Sequence, residues 1–349
     1  MTLENYTEDE LYMLRCIELA RLGKGNVAPN PMVGCVIVLD GKIIGEGYHQ
    51  KFGEAHAEVN AIAAIENHDL LCEATVYVSL EPCAHQGKTP PCADLLIQKK
   101  VKKVVIGCID AYSKVKGKGV EKLRNAGIEV EVGVLESQCL ELNKRFFTFH
   151  EKQRPYVILK WAQSKDGFLD INRENNEKGI HWISSDETRT LVHKWRAEEM
   201  SILVGRKTVQ NDNPSLTVRD YAGKNPIRLI IDSQKALSGD LKILLNDAPT
   251  IIFNRIKNEI SEHIEWVKIP EVETKYILEE LYKRGIQSVI IEGGSRTLQY
   301  FIFDNVWDEA RVIVGDVLLG DGKKAPVLHK SPSYSIPYST DQINYYFRK

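Results

Sequence analysis

Apolar residues recur in two rhythms along the first 150 residues. Glu8 to Arg21 carries them at helical spacing, with Thr7 placed to cap the first turn. Gly34-Cys35-Val36-Ile37-Val38-Leu39 and Lys42-Ile43-Ile44-Gly45 flank Asp40-Gly41, which predicts a strand pair around a tight turn. Further helices are predicted at about 56–66, 91–100, 120–126 and 136–149, and further strands at 75–80, 104–107 and 129–132. A polar run ending in Pro, Glu151-Lys152-Gln153-Arg154-Pro155, biases the chain away from helix and marks a seam. It divides the chain into domains 1–150 and 151–349. Beyond it the same grammar returns, with strands predicted at 156–161, 201–205, 227–231, 250–253, 288–292 and 310–314 and helices between them. Alternation of this kind predicts α/β for both halves, each with one central sheet. The tail beyond Gly320 looks short and divergent and is assigned no function.

Length and charge sharpen this only a little. The 349 residues allow about two domains of typical size, each with a core that needs no staples. With 46 basic against 48 acidic side chains, 17 and 20 of them in the first 150 residues, neither half makes a basic field for coating nucleic acid. Seven cysteines are too few, and odd in number, for a disulfide framework. The acidic start has no secretory signal and no run of about 18 apolar residues occurs. The expectation is a cytoplasmic protein that engages neither membrane nor nucleic acid.

Chemistry enters at His56-Ala57-Glu58, at the start of a helix, and at Pro82-Cys83 and Pro91-Cys92, after a buried strand. One His and two Cys suit a catalytic zinc, one ion per chain, that keeps three protein ligands and an open fourth position. Glu58, two residues beyond His56, can reach a water in that position without ligating the metal, and so carry a proton. His-x-Glu followed by Pro-Cys and a second Cys is the order of nucleobase zinc deaminases, although eight residues separate the two cysteines here. A structural zinc site is the alternative, for which His85 offers a fourth ligand. Cys16, Cys35, Cys72, Cys108 and Cys139 lie in or beside regular elements and read as packing residues.

The insert Cys83-Ala84-His85-Gln86-Gly87-Lys88-Thr89-Pro90-Pro91-Cys92, with Ala28-Pro29-Asn30-Pro31 and Gly47-Tyr48-His49, closely resembles the bifunctional pyrimidine deaminase/reductase family of riboflavin biosynthesis. The resemblance implies a cytidine-deaminase-like three-layer α/β domain, with His56, Cys83 and Cys92 as zinc ligands, Glu58 as proton shuttle, and Asn30, His49 and Lys88 as substrate contacts. Its activity would be hydrolytic deamination of a 2,5-diamino-6-ribosylamino-pyrimidinone 5′-phosphate. One departure stands out. Where the family has a Pro-Asn-Pro run after Gly107-Cys108-Ile109-Asp110, this chain has Ala111-Tyr112-Ser113, with Gly117-Lys118-Gly119 kept.

Three stretches of the second half carry the rest. Lys160-Trp161-Ala162-Gln163-Ser164-Lys165-Asp166-Gly167 ends one strand, Gly205 to Arg219 follows another, and Val289-Ile290-Ile291 runs into Glu292-Gly293-Gly294-Ser295-Arg296-Thr297-Leu298. A glycine pair between strand and helix lets backbone N–H groups approach an anion, although such turns are often only tight connections. In order and spacing these segments resemble the reductase domain of the same family, with a dihydrofolate-reductase-like α/β fold and NADPH as cofactor. The resemblance implies cofactor contacts at Ala162, Trp182, Thr208, Asp212, Ser233, Gly294, Ser295, Arg296, Thr297, Leu298, Gln299 and Tyr300. It implies substrate contacts at Ile180, Arg196, Leu216, Arg219 and Glu292. Arg196 and Arg219 suit a ribosyl phosphate, which guanidinium binds in bidentate fashion. Asp166 and Glu292 are the ionisable candidates for the proton of sugar opening. A homo-oligomer through the reductase domain is a family expectation, with small phosphorylated pyrimidines as the ligands. The competing readings are a nucleic-acid or nucleoside deaminase with an appended binding domain, and a zinc-stabilised metabolite sensor. The first wants a basic groove and a shorter Cys spacing, and the second is disfavoured by Glu58.

Overall fold

The computed structural model describes residues 6–84, 90–112, 116–173 and 178–348. Its contacts divide into two units, Met1–Lys152 and Gln153–Lys349.

The described residues of the first unit run α1 Glu8–Arg21, β1 Gly34–Leu39, β2 Lys42–Tyr48, α2 Ala57–Ala63, β3 Thr75–Leu80, α3 Cys92–Gln98, β4 Lys103–Cys108, α4 Lys118–Asn125, β5 Glu129–Val132, α5 Glu136–Leu142 and α6 Lys144–Lys152. At the start of α1, Thr7 Oγ1 accepts from the Glu10 N–H while the Glu10 carboxylate accepts from the Thr7 N–H, a complete capping box. The sheet order is β2-β1-β3-β4-β5, with β3, β4 and β5 parallel and β1 antiparallel to both of its neighbours. Side chains alternate across the sheet. Cys35, Ile37, Val76, Val78, Val104 and Ile106 pack with α2, α3 and α4, whereas Val36, Val38, Tyr77 and Val105 pack with α1 and α5. Helices on both faces make three layers. Gly45 and Gly47 of β2 let α2 lie close on the strand, since a Cβ on Gly47 would stand 2.3 Å from the Ala61 nitrogen.

The helix predicted over 136–149 is two helices. Asn143 breaks it because its side chain is committed elsewhere, accepting from the Met32 N–H at 2.8 Å and donating to the Met32 carbonyl at 2.8 Å. The second of the two, α6, continues to Lys152.

The described residues of the second unit run β6 Tyr156–Gln163, β7 Phe168–Asp170, α7 Asp186–Glu198, β8 Ser201–Gly205, α8 Arg206–Asp212, β9 Ile227–Ile231, β10 Thr250–Asn254, β11 Glu259–Ser261, β12 Ile264–Lys268, α9 Thr274–Lys283, β13 Ser288–Ile291, α10 Ser295–Phe303, β14 Glu309–Val314, β15 Lys323–Lys324, β16 Tyr334–Tyr338 and β17 Asp341–Phe347. One sheet of order β11-β12-β10-β9-β8-β13-β6-β14-β17-β16 holds all but β7 and β15, which pair separately. From β12 to β14 the strands are parallel, with antiparallel strands at both edges. Val157, Leu159, Leu203, Leu229 and Phe253 face α9 and α10, while Ile158, Ile290 and Ile313 face Val192 and Trp195 of α7. The tail is not idle. Its hairpin β16–β17 extends the sheet, with β17 laddered to β14 from Gln342 to Phe347.

Candidate functional site

In the first unit, two helix starts and one strand end meet. His56 is the N-cap of α2, Cys92 is the first residue of α3, and Cys83 follows β3. His56 Nδ1 lies 3.6 Å from Cys83 Sγ and 3.3 Å from Cys92 Sγ, and the three ligand atoms lie within 4.8 Å of one another. Zinc–nitrogen and zinc–sulfur bonds of usual length, at a tetrahedral angle, put N and S about 3.6 Å apart. The donor set and its spacing therefore fit zinc. Helix N-termini add positive potential that favours thiolates. Hydrogen bonding from the Cys92 thiol, and then from His56, pushes Cys83 down to about 4, while Cys92 is pushed up as the partner that keeps its proton.

Glu58 sits in the first turn of α2, 3% exposed and within hydrogen-bond reach of the Cys92 thiol. Burial, and then the neighbouring Cys83, raise its carboxyl above the ordinary range, which suits a group that must take up and release a proton. Beside it the buried His49 ring stands edge-on to His56, with centroids 5.4 Å apart. His49 Nδ1 lies 2.9 Å from the Ala55 carbonyl and Nε2 lies 3.1 Å from Asn30 Nδ2. Those partners fix a neutral ring with its proton on Nδ1, and burial lowers its pKa in agreement. Asn30 and His49 are thus joined to each other next to the metal ligands. Lys88 and His85 lie outside the described residues.

In the second unit a cleft of ≈ 1080 Å³ opens at the carboxyl ends of β6, β8, β9 and β13. In open α/β sheets this is the end where ligands bind. At the upper end of usual pocket sizes, the cleft has room for a dinucleotide beside a substrate. Ala162, Trp182, Thr208, Asp212, Ser233, Gly294, Arg296, Thr297 and Tyr300 line it, as do Ile180, Arg196, Leu216, Arg219 and Glu292. The turn into α10 needs its glycines. A Cβ on Gly293 would meet Val204 Cα at 2.4 Å, and Gly294 has a φ of +59°. Trp182 is exposed, with the Arg189 guanidinium 4.3 Å above its ring. Asp212 is held by Arg173 at 2.7 Å, and burial raises its carboxyl.

At the centre of the cleft is a buried charge cluster. Arg196 grips Glu292 with Nε and Nη2, at 3.0 and 2.7 Å, and Lys160 Nζ stands 3.8 Å from the same carboxylate. Burial alone would raise the Glu292 carboxyl, but the Arg196 and Lys160 charges outweigh it and hold it at about 2. Burial pushes the Lys160 ammonium down, and Arg196 adds to that.

Residues 6–108 match the family profile described as the cytidine and deoxycytidylate deaminase zinc-binding region, and residues 155–335 match that of the RibD C-terminal domain. The riboflavin biosynthesis protein RibD of Aquifex aeolicus is 41% identical over 321 residues, which are 90% of this chain and 88% of that one. The chain belongs to the RibD family. RibD of Escherichia coli is 37% identical over 333 residues, covering 90% and 89% of the two chains. The crystal structure of a diaminohydroxyphosphoribosylaminopyrimidine deaminase/5-amino-6-(5-phosphoribosylamino)uracil reductase from Thermotoga maritima superposes with a TM-score of 0.88 at 38% identity, covering 97% and 98%. RibD from Acinetobacter baumannii gives 0.87 at 34%, with the same coverage. The protein is a bifunctional deaminase and reductase of riboflavin biosynthesis with a two-domain α/β fold. Zinc serves the first activity and NADPH the second.

Within the RibD frame several expectations need correction. Leu298 is fully buried in the core, and neither Ser295 nor Gln299 lines the cleft. Each residue of α10 is turned by about 100° from the last, so a contiguous stretch cannot all face one ligand. Ser295 Oγ instead donates to the Lys324 carbonyl at 3.2 Å. Arg196 has its charge already paired with Glu292. Its remaining nitrogen, Nη1, donates to the Thr217 carbonyl at 3.4 Å while the other two hold Glu292. Asp166 is poorly placed to give the sugar its proton. Its hydrogen bond with Ser164, with the Gly320 and Leu319 N–H groups, lowers it to about 2, and it does not line the cleft. Lys160 and His193, both cleft residues, were missed because nothing local distinguishes a strand lysine or a helix histidine from packing or surface residues. Glu81 was missed too. Buried at the end of β3, it accepts from the N–H groups of Asp110, Gly117, Gly119 and Val120 and so seats the loop and the α4 start that follow β4.

Proposed function

We propose that deamination occurs in Met1–Lys152 and reduction in Gln153–Lys349, as consecutive steps on one phosphorylated pyrimidine. The convergence of His56, Cys83 and Cys92 beside the buried Glu58 carries this reading. Zinc, when bound by those three residues, supplies an acidified water as nucleophile. Glu58 takes the proton of that water and hands it to the departing amine, which leaves as ammonia. Asn30 presents an amide to the pyrimidine edge, its orientation fixed by His49. Lys88 adds a cation toward the anionic substrate.

For the second step, NADPH bound in the cleft would supply the hydride that reduces C1′ of the ribosylamine, with opening of the C1′–O4′ bond. The oxygen that is released needs a proton, and Lys160 Nζ is the buried cation in the cleft whose environment favours giving one up. Glu292 pairs with Arg196 and stands against Lys160. Arg219, exposed at the cleft with no carboxylate in ion-pair range among the described residues, takes the ribosyl phosphate. Trp182, Thr208, Asp212, Ser233 and the turn at Gly294 face the cofactor. Family membership also supports a homo-oligomer through the reductase unit and a cytoplasmic location. Among the described residues no helix is long and apolar enough to cross a membrane.

The test supplies the diaminopyrimidinone ribotide with and without NADPH, following ammonia and NADPH absorbance. Ammonia is expected without NADPH, and NADPH oxidation only once the deaminated product exists. Glu58→Gln is expected to cut ammonia release by about 10²- to 10⁴-fold with zinc retained. Full activity in that variant would overturn the proton-shuttle role.

A further inference from the structure

We infer that His193 is a positioning residue that sets Arg219 for the substrate phosphate. This rests on the reading of Arg219 as the phosphate cation. His193 lies on α7, is 4% exposed, and lines the reductase cleft together with Arg219 and Asp220. The segment from Asn213 to Asp220 is neither helix nor strand, so no ladder fixes it. Leu216 within it has a φ of +57°, and Leu216 and Arg219 both line the cleft. Something outside the segment must hold such a backbone in place.

One imidazole does so at two consecutive residues. His193 Nδ1 accepts from the Arg219 N–H at 3.2 Å, and Nε2 lies 3.2 Å from Asp220 Oδ2. Because Nδ1 is the acceptor, the proton sits on Nε2 and is donated to Asp220. The ring therefore ties the Arg219 backbone and engages the neighbouring carboxylate, which keeps Asp220 turned to the imidazole. Among the described residues Arg219 Nη1 meets a neutral partner, Ser215 Oγ, and no carboxylate in ion-pair range. Arg196, one helical turn beyond His193, is already committed to Glu292. Of the two arginines, Arg219 is the one with charge to spare; Arg196 on the Thr217 carbonyl and Asn225 on the Val218 N–H hold the residues before it, and His193 holds the Arg219 main chain itself.

An anchor of this kind acts on binding of the phosphate and leaves hydride transfer alone. The experiment measures KM and kcat for NADPH oxidation with 5-amino-6-(5-phosphoribosylamino)uracil and with its dephosphorylated riboside. It compares the wild type, His193→Ala, His193→Gln and Arg219→Ala in the full chain. His193→Ala is expected to raise KM for the ribotide about tenfold, the loss of one or two hydrogen bonds' worth of order, with kcat nearly unchanged and the riboside KM unmoved. His193→Gln, whose Oε1 can accept the Arg219 N–H, is expected to restore most of the ribotide KM. Equal losses on ribotide and riboside, or no loss on either, overturn the inference. If Arg219→Ala fails to distinguish ribotide from riboside, the phosphate reading of Arg219 falls. If Arg219→Ala distinguishes them and His193→Ala does not, only the role of His193 falls. Should His193→Ala not bind NADPH, His193→Gln against His193→Met decides, since Met keeps bulk without the acceptor, and equal KM values for that pair overturn the inference.

Discussion

Glu292→Gln is the substitution that most directly tests the electrostatics of the reductase cleft. The carboxylate, 9% exposed, is packed with Arg196 and Lys160, whose side chains are 12% and 14% exposed. Removing its charge leaves two buried cations without a partner, and breaking a buried pair from one side costs about 3–5 kcal/mol. The carboxyl's own descent from 4.5 to about 2 gives an independent figure of about 3 kcal/mol at neutral pH. In a unit of this size each kcal/mol moves the melting temperature by about 2–4 °C, so a fall of about 6–20 °C is expected. The assay is unit-specific, because Trp161, Trp182, Trp195, Trp266 and Trp307 all lie beyond the seam and tryptophan fluorescence reports only the second unit. A carboxyl with a depressed folded pKa stabilises above its unfolded value and loses that contribution as pH falls through the folded one. The gap between wild type and Glu292→Gln should therefore hold above pH 4.5 and shrink toward about 2. Adding Arg196→Gln to Glu292→Gln should recover at least about 1 kcal/mol of the loss. A melting shift under about 2 °C, or no pH dependence in that window, would refute the reasoning.

Chelation of zinc from the full chain should abolish ammonia release while leaving NADPH oxidation on supplied deaminated substrate intact, and zinc retention should weaken on acidification as the thiolates take up protons. Glu81→Ala removes the acceptor for four backbone N–H groups and is expected to destabilise the first unit by about 2–4 kcal/mol, read as faster proteolysis near residues 110–120 at lower urea, with the tryptophan-reported unfolding of the second unit unchanged.

What was legible in the chain was local. Thr7 and Glu10 are three residues apart, and both bonds of their capping box form. The strand predicted at 75–80 is there residue for residue, because five of its six side chains are buried and the run has no competing period. The metal ligands were legible because each sits at an element boundary that its own neighbours announce. The break at Asn143 had no such signal, since its partner Met32 is 111 residues away. The hairpin at 334–347 was missed because Pro337 weakens the strand pattern, and the pattern is tolerated only because β16 is the sheet edge. In the second unit the family pattern pointed to turns that line the cleft, but it could not tell which residues of a helix face that cleft or which arginine is already paired.

Glu58, Glu81 and Glu292 show where the limit lies. All three are nearly withdrawn from water, and in the sequence they are interchangeable letters beside strands and helix starts. Glu58 is buried beside the Cys83 thiolate, so its charge is disfavoured, as suits the proton carrier proposed above. Glu292 has two cations against it, so it stays ionised and serves as the keystone of a charge cluster, unable to donate. Among the described residues Glu81 meets backbone N–H groups, two of them at the first turn of α4, so its carboxylate replaces missing helix bonds. Environment, set by contacts from 29 to 132 residues distant for Glu81 and Glu292, divides one residue type into an acid–base candidate, an ion-pair centre and a helix cap. A His-Ala-Glu triplet is therefore informative only because the thiols that tune it can be read from the same sequence, whereas the partners of Glu292 emerge only when β6, α7 and β13 are brought side by side.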